Sequence, residues 1–137
     1  MSLLFLAHIV PGSGTARKQR VPTLNLALED IPVELHEGIY ACRVHLQQTN
    51  KLKNQQTIFP AVMHYGPRPT HSLPRSCEVH CLDQHIVLAP KSLTIEIVER
   101  IRDIRNFEYQ VQLEEAIQND LQQARDILKR EKNLDQR

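Results

Sequence analysis

Cys77-Glu78-Val79-His80-Cys81-Leu82-Asp83 changes character at every step. A side-chain period of two is the mark of a strand, whose successive side chains leave on opposite faces. Cys77, Val79 and Cys81 then share one face, and Glu78, His80 and Leu82 share the other. The same alternation runs through Leu93–Arg102. It is expected to put Leu93, Ile95, Ile97, Glu99 and Ile101 on one face and Thr94, Glu96, Val98 and Arg100 on the opposite one. Upstream, Leu3–Val10, Gly38–Gln48 and Thr57–Tyr65 are short runs rich in β-branched and aromatic residues, separated by Pro, Gly, Asn and His. Asn50–Asn54 is expected to form a hairpin tip that keeps Lys51 and Lys53 in water. No helical period lies between these runs, so five or six short strands must satisfy one another. That predicts a mainly β fold, an antiparallel barrel or sandwich.

The composition changes near residue 107, after which the chain is polar and helical. Leu113, Ile117, Leu121, Ala124 and Leu128 recur every three or four positions, which is one helical stripe. A helix over about Tyr109–Lys132 is expected to lay that stripe against the outside of the sheet structure. Glu114, Glu115, Gln118, Gln122 and Arg125 then cover its other side, and Asn133–Arg137 is expected to fray.

The chain's 137 residues suit one domain, residues 1–137, able to bury a core without disulfide staples. Seventeen basic residues against sixteen acidic ones leave a net charge of +1, so no overall field draws the chain to nucleic acid or to a membrane. Trp is absent and only three Phe and three Tyr are present, too few for a base-stacking platform. Three cysteines at irregular spacing make no disulfide framework and point to a reducing cytoplasm. Leu3–Val10 is too short to span a bilayer, and no basic residue precedes it as in a signal peptide. It is a first strand on this reading.

Glycine is scarce, so its placement informs. Two of the four, Gly12 and Gly14, sit in Pro11–Arg20 beside Arg17, Lys18 and Arg20. Exposed backbone N–H groups among cations suit an anion such as phosphate, although a solvated surface loop would look the same. The spacing matches neither a Walker loop nor a dinucleotide fingerprint. Thr23 and Asn25 follow, two residues apart, so an extended backbone projects both to one side. Both offer hard oxygens of the kind that suits Mg²⁺ held mostly by substrate phosphates and water. Pro22 stiffens this placement, and a plain turn is the alternative. Tyr65–Thr70 is a stiff turn that holds Arg68 between two prolines. A lone glutamate on a strand, such as Glu78, ordinarily faces solvent unless its surroundings make it a base. Cys77 and Cys81 lie on one face of a strand about 13 Å apart, too far to share a zinc ion, so they are expected as small core residues.

These pieces stand in a familiar order: the basic glycine loop, Pro22-Thr23-Leu24-Asn25, Gly38-Ile39-Tyr40-Ala41, Tyr65-Gly66-Pro67-Arg68-Pro69-Thr70, Cys77–Asp83 and Arg100–Phe107. Over about residues 3–130 the sequence resembles the riboflavin kinase (flavokinase) family. The resemblance implies a six-stranded antiparallel Greek-key β-barrel over about residues 3–107, with a C-terminal α-helix packed outside. It implies transfer of the ATP γ-phosphate to the riboflavin 5′-hydroxyl, giving FMN and ADP, with Mg²⁺ as cofactor. Thr23 and Asn25 would bind the metal and nucleotide, and Gly12, Gly14 and Arg17 belong to the matching phosphate flap. Glu78 would activate the hydroxyl, and Arg102, Arg105 and Phe107 would form part of the flavin side. Riboflavin, FMN, ATP and ADP are then the partners of an expected monomer. The stretch carries no nucleotidyltransferase domain, so FMN rather than FAD is the expected product. Ala16 and Arg20 stand where the family flap carries glycine, Ile104 where glutamate is usual, Leu24 for a small Ala, and Gln84 where an aromatic is frequent. Those departures leave a second reading, a non-catalytic flavin- or nucleotide-binding module on the same fold.

Overall fold

Each alternating run pairs with its neighbours, and the pairing closes on itself. In the computed structural model, which describes residues 3–11, 23–50, 53–67, 75–82 and 91–135, the strands are β1 (Leu3–Val10), β2 (Thr23–Leu26), β3 (Gly38–Asn50), β4 (Lys53–Gly66), β5 (Ser76–Cys81) and β6 (Ser92–Arg102). They form a closed barrel in the order β1-β2-β5-β4-β3-β6, with every adjacent pair antiparallel. Closure removes the exposed sheet edges that invite aggregation. The run β2-β5-β4-β3 is a Greek key: three successive strands, with the preceding strand returning beside the last.

The interior is filled by one residue of each alternating pair. Leu24 and Leu26 of β2, Cys77, Val79 and Cys81 of β5, and Leu93, Ile95 and Ile97 of β6 are all buried in one cluster. Beside β3, however, the outer face is apolar too: Ile39 and Ala41 with Val62 of β4 and Leu82. The α-helix α1 (Gln110–Asp135) lays Leu121, Ala124, Ile127 and Leu128 on that face. Full burial of an aliphatic side chain contributes about 1.5–3 kcal/mol, so this stripe holds α1 on the barrel without help from polar contacts. Among the described residues no helix is long and apolar enough to cross a membrane.

Several boundaries differ from the sequence expectation. The hairpin strands run on to Asn50 and begin again at Lys53, so Lys53 is a strand residue; Lys51 lies outside the described residues. β5 ends at Cys81, and Asp83 lies outside the described residues. Of the Asn133–Arg137 tail expected to fray, Asn133 to Asp135 extend α1, and Gln136 and Arg137 lie outside the described residues. The barrel ends at Arg102, short of 107.

The larger correction is on β6. Cys42 faces Ile97 and Ala41 faces Glu99, and Tyr40 faces Arg100 while Ile39 faces Arg102. β6 therefore carries two extra residues, Val98 and Ile101, at two bulges. Each bulge inverts the alternation. Glu99 leaves the interior face and pairs with Arg130 of α1 at 3.1 Å, and Ile101 packs beneath the helix. Arg100 swings to the Tyr40 side and donates to the Glu37 carbonyl at 2.6 Å. Gly66, at φ +146°, closes β4 in a conformation that side chains resist, and a Cβ there would meet Ile104 Cγ1 at 3.0 Å.

Candidate active site

Register builds the site. Residues directly opposite one another in adjacent strands share a face of the sheet. Asn25 faces Glu78, Glu78 faces His64, His64 faces Ile39, and Ile39 faces Arg102. One row thus crosses five strands on the outer wall of the barrel. The row beside it carries Thr23, His80, Val62 and Ala41. Leu24 and Leu26 point inward and are buried, which turns Thr23 and Asn25 outward together as the extended reading expects.

Glu78 is half-buried, and the ring of His80 beside it is buried. The His80 Nδ1 lies 2.9 Å from the Thr23 hydroxyl. Desolvation, reinforced by nearby His64, lowers the His80 pKa to about 4, so the ring is neutral near pH 7. Its Nε2, 3.9 Å from Glu78 Oε2, therefore makes neither an ion pair nor a hydrogen bond with the carboxylate.

A cavity of about 40 Å³ opens over this row. Its floor is Ile39, Val62, His64, Glu78 and His80, and its roof is Leu113, Ile117 and Leu121 of α1. Arg102, Arg105, Phe107 and Asp120 complete the wall. Asp120 is only 4% exposed, although it is ionisable. Both its oxygens accept from Arg102, Oδ1 from Nε and Oδ2 from Nη2, at 2.8 Å each. That fork ties the last residue of β6 to the middle of α1. The Phe107 ring has two cations near it, the Arg102 and Arg105 guanidinium carbons lying 5.8 and 5.1 Å from its centre.

The fold thus gathers Glu78, Arg102, Arg105 and Phe107 around one cavity, with Thr23 and Asn25 on the strand beside Glu78. Gly12, Gly14, Arg17 and Arg68 lie outside the described residues, as do Ala16, Arg20 and Gln84. Ile104 is absent from the cavity wall and packs over Gly66 instead. Three polar wall residues escaped the sequence reading of the site: His64, His80 and Asp120. Asp120 had a signal, since it stands seven residues after Leu113, on the apolar stripe itself. The cysteines are free and buried, and burial raises all three thiol pKa values, Cys81 to about 12, so none is a ready nucleophile.

Thr23 and Asn25 supply a hydroxyl and an amide carbonyl on one face, a donor set that fits a hard cation carried largely by phosphates and water. Among the described residues no group of three or more His, Cys, Asp or Glu is arranged to hold a metal.

Comparison with known proteins bears on this geometry. A family model described as Flavokinase: Riboflavin kinase matches residues 3–128. A 103-residue stretch, 74% of this chain, is 30% identical to the trifunctional protein RibF/MnmA of Mycoplasmoides gallisepticum and spans 14% of that protein. Among solved structures, a macrolide-efflux protein from Streptococcus pneumoniae superposes with a TM-score of 0.72 at 23% identity, over 90% of this chain and 38% of that one. That likeness is one of fold. The chain spans well under half the length of either relative.

Proposed function

The chain belongs to the flavokinase family, and on that premise we propose that it transfers the γ-phosphate of ATP to the 5′-hydroxyl of riboflavin, giving FMN and ADP. The observation that carries the proposal is the register of β2, β5 and β4. It sets two hard oxygen donors, Thr23 and Asn25, one strand away from a half-buried carboxylate, Glu78, which faces a cavity walled by Phe107 and two arginines.

Phosphoryl transfer asks a protein mainly for positioning and charge stabilisation. Thr23 and Asn25 hold the nucleotide phosphates together with Mg²⁺ from the β2 side. When bound, that ion would supply positive charge to offset that of the phosphates. Glu78 accepts or orients the proton of the riboflavin hydroxyl, since it stands between the nucleotide strand and the cavity. Arg102, Arg105 and Phe107 offer the flavin ring a flat aromatic and cationic wall. Gly12, Gly14 and Arg17 are proposed to bind the nucleotide phosphates. The domain works as a monomer, and its three free thiols suit a reducing cytoplasm.

At about 40 Å³ the cavity is smaller than a riboflavin site, since ligand pockets run to about 300–1,000 Å³. Riboflavin binding therefore requires the 103–109 connection, the start of α1, or both to move outward. Incubation with riboflavin, ATP and Mg²⁺, followed by chromatography, is expected to yield FMN. Flavin binding without FMN formation from any nucleotide would instead identify a non-catalytic flavin-binding module.

A further inference from the structure

His80 bridges the two halves of the site, and nothing in the transfer reaction itself requires an imidazole there. One nitrogen meets Thr23, and the other is turned towards Glu78. The ring is buried and Nε2 lies 3.9 Å from Glu78 Oε2, beyond hydrogen-bonding distance, so among the described residues no close partner offsets a second proton. The imidazole carries one N–H and one lone pair, and the partner of one nitrogen decides which sits where. Were the proton on Nδ1, the lone pair of Nε2 would face the Glu78 carboxylate, two negative ends 3.9 Å apart. With the proton on Nε2, the N–H dipole points its positive end at the carboxylate. Nδ1 is then the acceptor, and the 2.9 Å contact is a hydrogen bond donated by the Thr23 hydroxyl.

A hydroxyl has a single proton. Committed to the ring, that proton cannot face a ligand, so towards any ligand the Thr23 oxygen acts only as an acceptor. This is the state that a cation needs and that a phosphate oxygen, itself an acceptor, does not. Burial of His80 fixes the ring, and β2–β5 pairing sets Thr23 directly opposite it.

We propose that His80, as its Nε2–H tautomer, is a positioning residue that draws the Thr23 proton inward and so presents the Thr23 oxygen to the nucleotide-bound divalent cation. The inference rests on the phosphotransferase reading of the site. It goes further in giving His80 a role in metal-dependent nucleotide binding that is separate from the proton transfer assigned to Glu78.

The test is calorimetric titration with ADP in the presence and absence of Mg²⁺, which needs no turnover. An Asn amide falls near the place of Nδ1 and a Gln amide near that of Nε2. His80→Asn should therefore keep the gain in ADP affinity that Mg²⁺ confers. His80→Gln should lose at least fivefold of it, with metal-free ADP binding unchanged. A full gain in His80→Gln, or an equal loss in both variants, overturns the role of Nδ1 while leaving the phosphotransferase reading intact. A wild-type protein whose ADP affinity ignores Mg²⁺ overturns that reading and the inference with it. Should either variant fail to fold, nitrogen NMR of the wild-type ring decides. A protonated Nε2 and an acceptor Nδ1 are expected, and a protonated Nδ1 sinks the proposal.

Discussion

At the scale of single residues, the outer row across β2 and β5 makes the sharpest predictions. Glu78→Gln keeps shape and hydrogen-bonding capacity but removes the proton acceptor. Riboflavin binding, followed by quenching of flavin fluorescence, should stay near normal while FMN formation falls by about 10²–10⁴-fold. Unchanged turnover would show Glu78 to be an ordinary surface carboxylate. Thr23→Ala removes one oxygen donor and should weaken Mg-ADP binding about tenfold without unfolding the barrel, a loss that calorimetry would detect. His80 adds a pH dependence. Its pKa falls from 6.5 to about 4 on folding, so acid protonates the unfolded chain first. The stability gained from burying the neutral ring is fully present above pH 6.5 and is lost as pH falls towards 4. Urea titrations should show a loss on the order of 2–3 kcal/mol across that window, and His80→Asn should flatten this part of the profile. An equal slope in the variant would assign the acid sensitivity to other groups.

At the scale of elements, α1 does two separable things. Its apolar stripe holds it on β3 and β4, and the Arg102–Asp120 fork fixes where the end of β6 stands against it. Removing one partner of a largely buried pair costs a few kcal/mol because the other charge stays behind, and the part-exposed Arg102 guanidinium reduces that cost. Asp120→Ala should therefore destabilise by about 2–3 kcal/mol in urea and weaken riboflavin binding more than Mg-ADP binding. Replacing both partners, Arg102→Met with Asp120→Leu, should recover much of the stability without recovering the flavin affinity. Riboflavin affinity restored in that double variant would mean that the fork holds the helix and nothing more. The β6 bulges belong to the same scale. They send Glu99 to the helix side, where its exposed pair with Arg130 is worth at most a fraction of a kcal/mol.

At the scale of the molecule, a small cavity beneath a docked helix implies that the barrel is the fixed part and the 103–110 region the adjustable one. Riboflavin should change hydrogen-exchange protection over residues 103–109 and the first turns of α1, and leave β3 and the interior face of β5 as they were. Unaltered exchange in 103–109 would place the flavin elsewhere. How much of this was legible in the sequence follows from the range of each interaction. The pleat puts successive side chains on opposite faces, so Cys77, Val79 and Cys81 announced the interior and Glu78 the outer wall from seven residues alone. The helical period did the same for Leu113, Leu121 and Leu128, and the order of short motifs pointed to the family. A four-residue strand holds too few positions to show a period, so Thr23–Leu26 was legible as an extended pair of donors but not as the strand that closes the barrel beside β5. Nothing local marks Val98 and Ile101 as bulges, because a bulge exists only relative to a partner strand. Nor could local pattern bring Asp120 to Arg102 or His80 to Thr23, pairs 18 and 57 residues apart. The sequence by itself determined which residues of the unbroken alternating runs face inward and which chemical groups are on offer, since both depend on backbone geometry and residue type. Only the tertiary structure decided which of those groups meet, because closing a barrel fixes register between strands far apart in the chain.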